Sequence, residues 1–577
     1  MNWTLQAHPD RGQYRPGETA SLVVRITGPA GSHATLHVRL TERARSLASL
    51  AQPVTLDAAG VWEGTIPWAP PASDASWRAF GADLTLLDGS GGEVARYSTA
   101  FDVAPHWRTA PRYGVLTEFA PKDTGDGDVA DVEDQRRLDL FLGLHINCVQ
   151  FYDWMYTHHT YTPPEEVFTD PLGRRLDFGR VRRRIAGCRD RGMAPVAYAS
   201  VYGGEQPFAG EHPDWLMRDG QGQPMSLGGM FFIQDPSPEC GWRRHLMGQY
   251  RAALDLGFVG LHCDTYGSPK SGVVSRAEGR QEVVHLEQVF PGLMAEAEGL
   301  AKASDPEGGA IFNCVGAWPL EAMARAPGAA LYVEVWPPMV TYRDLYELVM
   351  RAHRLNSRMP IVLAAYLSSF HRDRQRPEGS VSGLRLASAA IFASGGYHLL
   401  PAEGDGVLGD AYYPLFGRLG SEDWEVVRQY WDFQTRYGPL LADPDALDIT
   451  TTHLGGEVRE CRVIGAPYSP LAEPGKLWTL AKEGEGYTTI HFINLAGVKD
   501  PLWNSPQPEP PPTPPLTVEM EAVTPPSVVW TASPDSDGGR PRPAGYRLVT
   551  REGIGQVLQV NVPSVDAWTM LVVEWQV

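Results

Sequence analysis

The 577-residue chain is 43% hydrophobic and 21% charged, an ordinary globular composition that supplies apolar area for a large core and excludes a disordered or fibrous polymer. Its 50 basic and 69 acidic side chains leave a net charge of −19, which repels phosphate backbones and anionic lipid, so neither nucleic acid nor a membrane surface is expected as a partner. No apolar run approaches the roughly 18 residues that span a bilayer. The start, MNWTLQAHPDRG, lacks the basic and apolar regions of a secretory signal, so a soluble chain is expected, with secreted and cytoplasmic locations both open. Six scattered cysteines without a C-x-x-C pair give no sign of a zinc ribbon or a disulfide framework.

Short alternating segments separated by Pro, Gly and Ser clusters fill residues 1–105: SLVVRI (21–26), ATLHVRL (34–40), VWEGTIPW (61–68), ADLTLLD (82–88) and ARYSTAFDV (95–103). That spacing predicts an immunoglobulin-like β-sandwich. From about 112, continuous apolar runs alternate with amphipathic helical stretches such as 239–257 and 341–356. Runs buried on both faces are what parallel strands need. Eight are present: 113–119, 146–153, 194–201, 258–264, 310–315, 331–336, 360–366 and 397–403. Eight βα units within 106–440 predict a (β/α)8 TIM barrel. Strand-like runs return at 446–454, 476–483, 487–495, 527–532, 546–550 and 568–575, so residues 441–577 are expected to form a C-terminal antiparallel β-domain, with the proline-rich run 505–518 as a long loop inside it.

A barrel carries its catalytic groups at the C-terminal ends of its strands. There the sequence offers Glu118, Asp153, Asp264, Glu334 and Glu403, with Glu205 and Asp405 just beyond, among Tyr152, Trp154, Tyr202, Tyr266, Trp336 and Tyr366. An acidic, aromatic mouth suits a neutral polyhydroxylated ligand, whose C–H faces stack on rings and whose hydroxyls bind carboxylates. Two acids on separated strands are what glycoside hydrolysis requires. Asp264 closes GFVGLHCD ahead of Thr265, Tyr266 and Gly267, a short acid presented at a sharp turn, as a nucleophile needs. Glu334 lies in LYVEVW among apolar neighbours that raise its pKa, as a general acid needs.

The segments NCVQFYDWMYTHH (147–159), GFVGLHCDTYG (257–267) and YVEVW (332–336), with Glu334 70 positions after Asp264, resemble glycoside hydrolase family 66, the dextranases and cycloisomaltooligosaccharide glucanotransferases acting on α-1,6-linked glucans. The resemblance implies Asp264 as nucleophile and Glu334 as acid/base of a retaining mechanism, with the carboxyl groups about 5 to 5.5 Å apart. It implies dextran or isomaltooligosaccharides as substrate. Asp153 is expected to bind hydroxyls at the cleaved residue, with His262 and Asn313 as further candidates beside Tyr152, Trp154, Tyr266, Trp336 and Tyr366. Cyclising members of the family carry a large insertion late in the barrel, and only about 30 residues separate the runs at 360 and 397 here. An endo-acting dextranase is therefore expected, ahead of a cyclising transferase or a non-catalytic glucan-binding protein. His158 and His159 lack a third ligand at metal spacing, the basic stretch 179–192 is expected to be a solvated helix face, and no metal or organic cofactor is expected. A monomer is expected.

Overall fold

The computed structural model describes residues 3–576 apart from 74, 76, 123–126, 277–278 and 456–459. It is a mixed α/β structure, rich in sheet. The N-terminal part stacks a three-stranded sheet (Thr4–Pro9, Ala20–Thr27, Val61–Trp68) against a four-stranded one (Arg45–Thr55, His33–Glu42, Arg78–Asp88, Glu93–Val103). Alternation does the folding: Leu22, Val24 and Ile26 face Leu36, Val38, Leu40, Phe80 and Leu84 across one apolar layer. The strand Arg45–Thr55 was not expected. Most of it is exposed, so hydrogen bonding to His33–Glu42 creates it, with no buried alternation for the sequence to display.

Each of the eight apolar runs contributes to one curled sheet. Its strands are β1 Tyr113–Leu116, β2 Cys148–Phe151, β3 Ala194–Ser200, β4 Gly260–Asp264, β5 Gly309–Val315, β6 Leu331–Glu334 and β7 Ile361–Ala364, paired in parallel in sequence order. The eighth run is split. Tyr397–His398 pairs with β7, and four residues on Pro401–Ala402 pairs with β1, so one short stretch touches both ends of the strand row. Helices return the chain over the outside, among them Phe178–Asp190, Gly241–Asp255, Leu286–Ser304, Tyr342–Leu355 and Ser380–Ser394. Asp177 caps the first of these, and Thr341 with Asp344 forms a capping box at Tyr342–Leu355. No helix among the described residues is long and apolar enough to cross a membrane.

Because side chains alternate along a strand, Leu261 and Cys263 of β4 join the layer under the helices. Tyr113, Val115, Val196, Ile311, Tyr332 and Val362 form a second, inner layer. The expected solvated face at 179–192 is a correction. Arg180 and Arg184 are buried, both bonded to Asp134 (2.7 and 2.9 Å), and Arg184 also reaches Glu403 at 2.6 Å. Buried cations need such partners. Glu403 is spent on this network and on the backbone amides of Thr117 and Glu118.

The C-terminal part holds seven- and four-stranded sheets around their own apolar layer. Five of the six expected runs are strands, while the sixth needs correcting. Residues 446–454 give only Leu447–Asp448 before a helical turn Thr450–Leu454, because the Asp448 carboxylate accepts the Thr450 amide and starts the turn. Cys461–Ile464, Leu516–Glu521 and Gly555–Val562 are additional strands.

Candidate active site

Parity and strand length bring three side chains from consecutive strands to one point. Asp264 ends β4, Asn313 is two residues from the end of β5, and Glu334 ends β6. The Asn313 side-chain Nδ2 donates to Asp264 Oδ1 at 2.7 Å and to Glu334 Oε2 at 2.9 Å. Both bonds meet at one nitrogen, so the two oxygens lie within about 5.6 Å of each other. With about 120° between amide hydrogens the gap is about 4.9 Å. Tyr198, from β3, donates its hydroxyl to the other oxygen, Asp264 Oδ2, at 2.8 Å.

The two acids are tuned apart. Burial raises Asp264 to about 6, held back by the bonds from Asn313 and Tyr198 and by the His158 charge. Burial also raises Glu334, and the adjacent Asp264 charge adds to it, taking it to about 7 against the pull of Asn313, Trp336 and Tyr366. Near neutral pH the first is therefore mainly ionised and the second exchanges its proton readily.

Asp153 follows β2 with φ +48°, a left-handed conformation that aspartate tolerates better than most side chains. Its carboxylate faces Arg174 Nη2 at 3.2 Å and His158 Nε2 at 3.7 Å. His158 stacks on Phe231 (centroids 4.5 Å apart) and meets the Tyr266 hydroxyl through Nδ1 at 3.0 Å. Burial opposes its charge, but its bond to Asp153 and the charges of Glu205, Asp153 and Asp264 prevail and raise its pKa. Glu205 accepts the His158 amide at 2.9 Å and meets His159 Nδ1 at 2.6 Å. Tyr152 packs on Tyr198 and Tyr413, and the Tyr413 hydroxyl joins those of Tyr332 and Tyr366 at 3.0 Å each. Trp336 is 40% exposed, its ring edge-on to Tyr366.

The structure thus gathers Asp264, Glu334, Asp153, Asn313, Tyr152, Tyr266, Trp336 and Tyr366. Two expected contacts fall elsewhere. Trp154 is fully buried among Tyr161, Phe178 and Phe258, its indole N–H donating to the Tyr198 carbonyl at 3.1 Å, because the left-handed turn at Asp153 sends it outward beneath the helices. His262 is one strand layer below Asp264, bonded to the Tyr113 hydroxyl at 3.2 Å, and burial lowers it to about 3, a neutral core imidazole. Sequence reasoning missed Tyr198, Arg174 and Tyr413. Strand parity could have found Tyr198, which lies two residues before the end of β3. Arg174 and Tyr413 arrive on loops, where no period points to them. Among the described residues no group of three His, Cys, Asp or Glu side chains is arranged to hold a metal ion.

A family model described as glycosyl hydrolase family 66 matches residues 9–572. The chain belongs to this family. A cycloisomaltooligosaccharide glucanotransferase of Niallia circulans is 20% identical, the match covering 98% of this chain and 72% of that one. A dextranase of Streptococcus salivarius is 22% identical over 85% of this chain and 67% of its own length. The crystal structure of a Paenibacillus sp. cycloisomaltooligosaccharide glucanotransferase complexed with cycloisomaltoheptaose superposes with a TM-score of 0.87 at 20% identity, covering 98% of this chain and 99% of that one, so the two share a fold. Family 66 membership makes this chain a glycosidase by kinship, and the carboxyl pair is the group such chemistry needs.

Proposed function

We propose that this family 66 protein is an endo-acting hydrolase of α-1,6-glucans, cleaving dextran to isomaltooligosaccharides by retaining double displacement. On this reading the curled sheet is a closed (β/α)8 barrel spanning residues 106–440, flanked by an immunoglobulin-like sandwich (1–105) and a C-terminal β-domain (441–577). The observation that carries the proposal is the Asn313 bridge. A separation within about 5.6 Å matches the roughly 5 to 5.5 Å of retaining enzymes and leaves no room for the water that inverting enzymes hold between carboxyls about 6.5 to 9.5 Å apart.

In the first step an Asp264 oxygen bonds to the anomeric carbon as the glycosidic C–O bond breaks, and Glu334 gives its proton to the departing oxygen. Asp264 is then an uncharged ester. The charge that helped raise Glu334 is gone, so its pKa falls and it becomes the base that the second step needs. Glu334 takes a proton from water, the water oxygen bonds to the anomeric carbon, and Asp264 leaves as carboxylate. Asp153, fixed by Arg174, accepts hydroxyls of the cleaved sugar, while Tyr152, Tyr266, Trp336 and Tyr366 supply apolar and hydroxyl contacts.

Transfer to a sugar hydroxyl in place of water is the second reading, favoured by the glucanotransferase relatives and their shared fold. Hydrolysis is preferred because the short stretch between β7 and Tyr397 leaves no room for the large late-barrel insertion that the family resemblance attributes to cyclising members. The test is chromatography of the products from dextran, with pullulan as control, for wild type and Asp264→Asn. Linear isomaltooligosaccharides from dextran alone, abolished by the substitution, support hydrolysis. Cyclic products move the activity to transfer, and turnover surviving in Asp264→Asn removes the assigned nucleophile.

A further inference from the structure

The loops that follow β6 and β7 carry Trp336, two residues beyond Glu334, and Tyr366, whose ring meets the Trp336 ring edge-on at 6.4 Å; both are among the groups that lower the Glu334 pKa. A strap from the C-terminal part, residues 500–508, holds both loops. Along the β6 loop, Leu502 pairs with Thr341 in an antiparallel bridge, the Trp503 amide donates to the Val340 carbonyl at 3.1 Å, and the Tyr342 amide donates to the Pro501 carbonyl at 2.9 Å. The buried Trp503 side chain adds an indole N–H bond to the Met339 carbonyl at 3.1 Å. Met339 in turn donates its amide to the Trp336 carbonyl at 3.1 Å, so the strap is two hydrogen bonds from Trp336. Along the β7 loop, Asn504 Oδ1 accepts both the amide (2.8 Å) and the hydroxyl (3.1 Å) of Ser368, two residues after Tyr366.

The strap is itself fixed. Gln507 donates its side-chain nitrogen toward Asp500 (3.2 Å) and the Leu502 carbonyl (3.4 Å), and its amide reaches the Gly379 carbonyl at 3.1 Å. Its approach to the helix Ser380–Ser394 needs glycine. A Cβ at Gly379 would sit 2.3 Å from the Gln507 carbonyl oxygen, and one at Gly383 2.6 Å from that of Ser505. The two loops thus share one clamp contributed from a remote part of the chain, beside local anchors such as the Leu367 amide on the Leu408 carbonyl (3.1 Å) and the Val340 amide on Asp344 (2.9 Å).

We propose that Trp503 and Asn504 are positioning residues for the acid/base, clamping the β6 and β7 loops so that Trp336 and Tyr366 orient the Glu334 carboxyl toward the leaving oxygen. Neither touches the reacting atoms, and the proposal rests on Glu334 serving as acid/base. Freeing the loops then misplaces the carboxyl that donates the proton in the first step and accepts one from water in the second; in the first step only a substrate whose leaving group needs protonation suffers.

The test compares wild type, Asn504→Ala, Asn504→Asp, Trp503→Phe and Glu334→Gln on two substrates: a linear isomaltooligosaccharide, and the same sugar carrying a dinitrophenyl leaving group that departs without protonation. Asn504→Ala is expected to lower kcat/KM, which reports the first step alone, about tenfold on the natural substrate, with less than about twofold change on the activated one. Asn504→Asp keeps an acceptor for Ser368 and should restore most of the loss. In Asn504→Ala the alkaline limb of the pH profile should move upward, because Trp336 and Tyr366 lower the Glu334 pKa where they now stand. Trp503→Phe keeps an aromatic side chain and removes the bond to Met339 together with part of the buried ring, so it carries the test if Asn504→Ala does not fold. Equal losses on both substrates, an unmoved alkaline limb, or no rescue by aspartate would overturn the proposal. If Glu334→Gln itself spares neither substrate selectively, the acid assignment fails, whatever the strap variants do.

Discussion

The tuned carboxyl pair makes a quantitative demand on the pH dependence of kcat/KM. The productive free enzyme has Asp264 ionised and Glu334 protonated, with values of about 6 and about 7. At pH 6.5 about 0.6 of the molecules hold that form, and at pH 4.5 or 8.5 only about 0.03 do, so the profile is a bell centred near 6.5 that falls about 20-fold on either side. The measurement is the initial rate of reducing-end release from a linear isomaltooligosaccharide between pH 4 and 9.5. Glu334→Gln then separates the limbs. On the dinitrophenyl substrate the alkaline limb should vanish, while the acid limb stays near 6, because glutamine and protonated glutamic acid are both neutral toward Asp264. A wild-type profile flat from pH 5 to 8 would refute the tuning. An alkaline limb that persists in Glu334→Gln would put the controlling proton elsewhere, with His158 the next group to substitute, since its own pKa is raised and it lies beside Asp153.

Three further outcomes follow from the same geometry. Asn313→Ala removes one donor from two carboxylates at once and should lower kcat by about 10- to 100-fold, with both limbs of the pH profile displaced upward; an unchanged profile would deny the bridge its electrostatic role. Trp154→Phe should leave KM for the glucan within about twofold while costing about 1 to 2 kcal/mol of stability from the lost bond to the Tyr198 carbonyl, read by denaturant unfolding; a large KM rise with unchanged stability would return Trp154 to the substrate. Both catalytic carboxyls have folded-state values above their usual ones, so between about pH 4 and 7 the native state binds more protons than the unfolded one, and stability falls as pH rises through that window. Glu334→Gln should therefore stabilise the protein at pH 8, by on the order of 3 kcal/mol at most, and do nothing of the kind at pH 4, as thermal midpoints at the two pH values would show.

What local pattern could carry, it carried. Runs apolar on both faces mark β1 to β7 and the split eighth run, since a strand covered on both sides leaves no polar position to interrupt it, and a short acid or glutamate closing such a run puts Asp264 and Glu334 at strand ends. Parity within β4 likewise separates Cys263 from Asp264 without reference to any other segment. The remaining features depend on residues far apart in the chain. Trp154 and Tyr152 look alike in sequence, and one left-handed residue between them sends the first into the core and the second over Tyr413. The helix at 178–190 reads as a solvated cationic face until Asp134 and Glu403 arrive to pair with it. The proline-rich run reads as a loop, which it is, but nothing in its composition tells that the residues just before it, Trp503 and Asn504, clamp the acid/base loops 164 and 136 residues upstream. Sequence determined which side chains stand at the ends of strands, because that follows from a period of two. Tertiary structure decided which of them meet, because hydrogen bonds such as those of Asn313, Arg174 and Asn504 form across separations that no local period encodes.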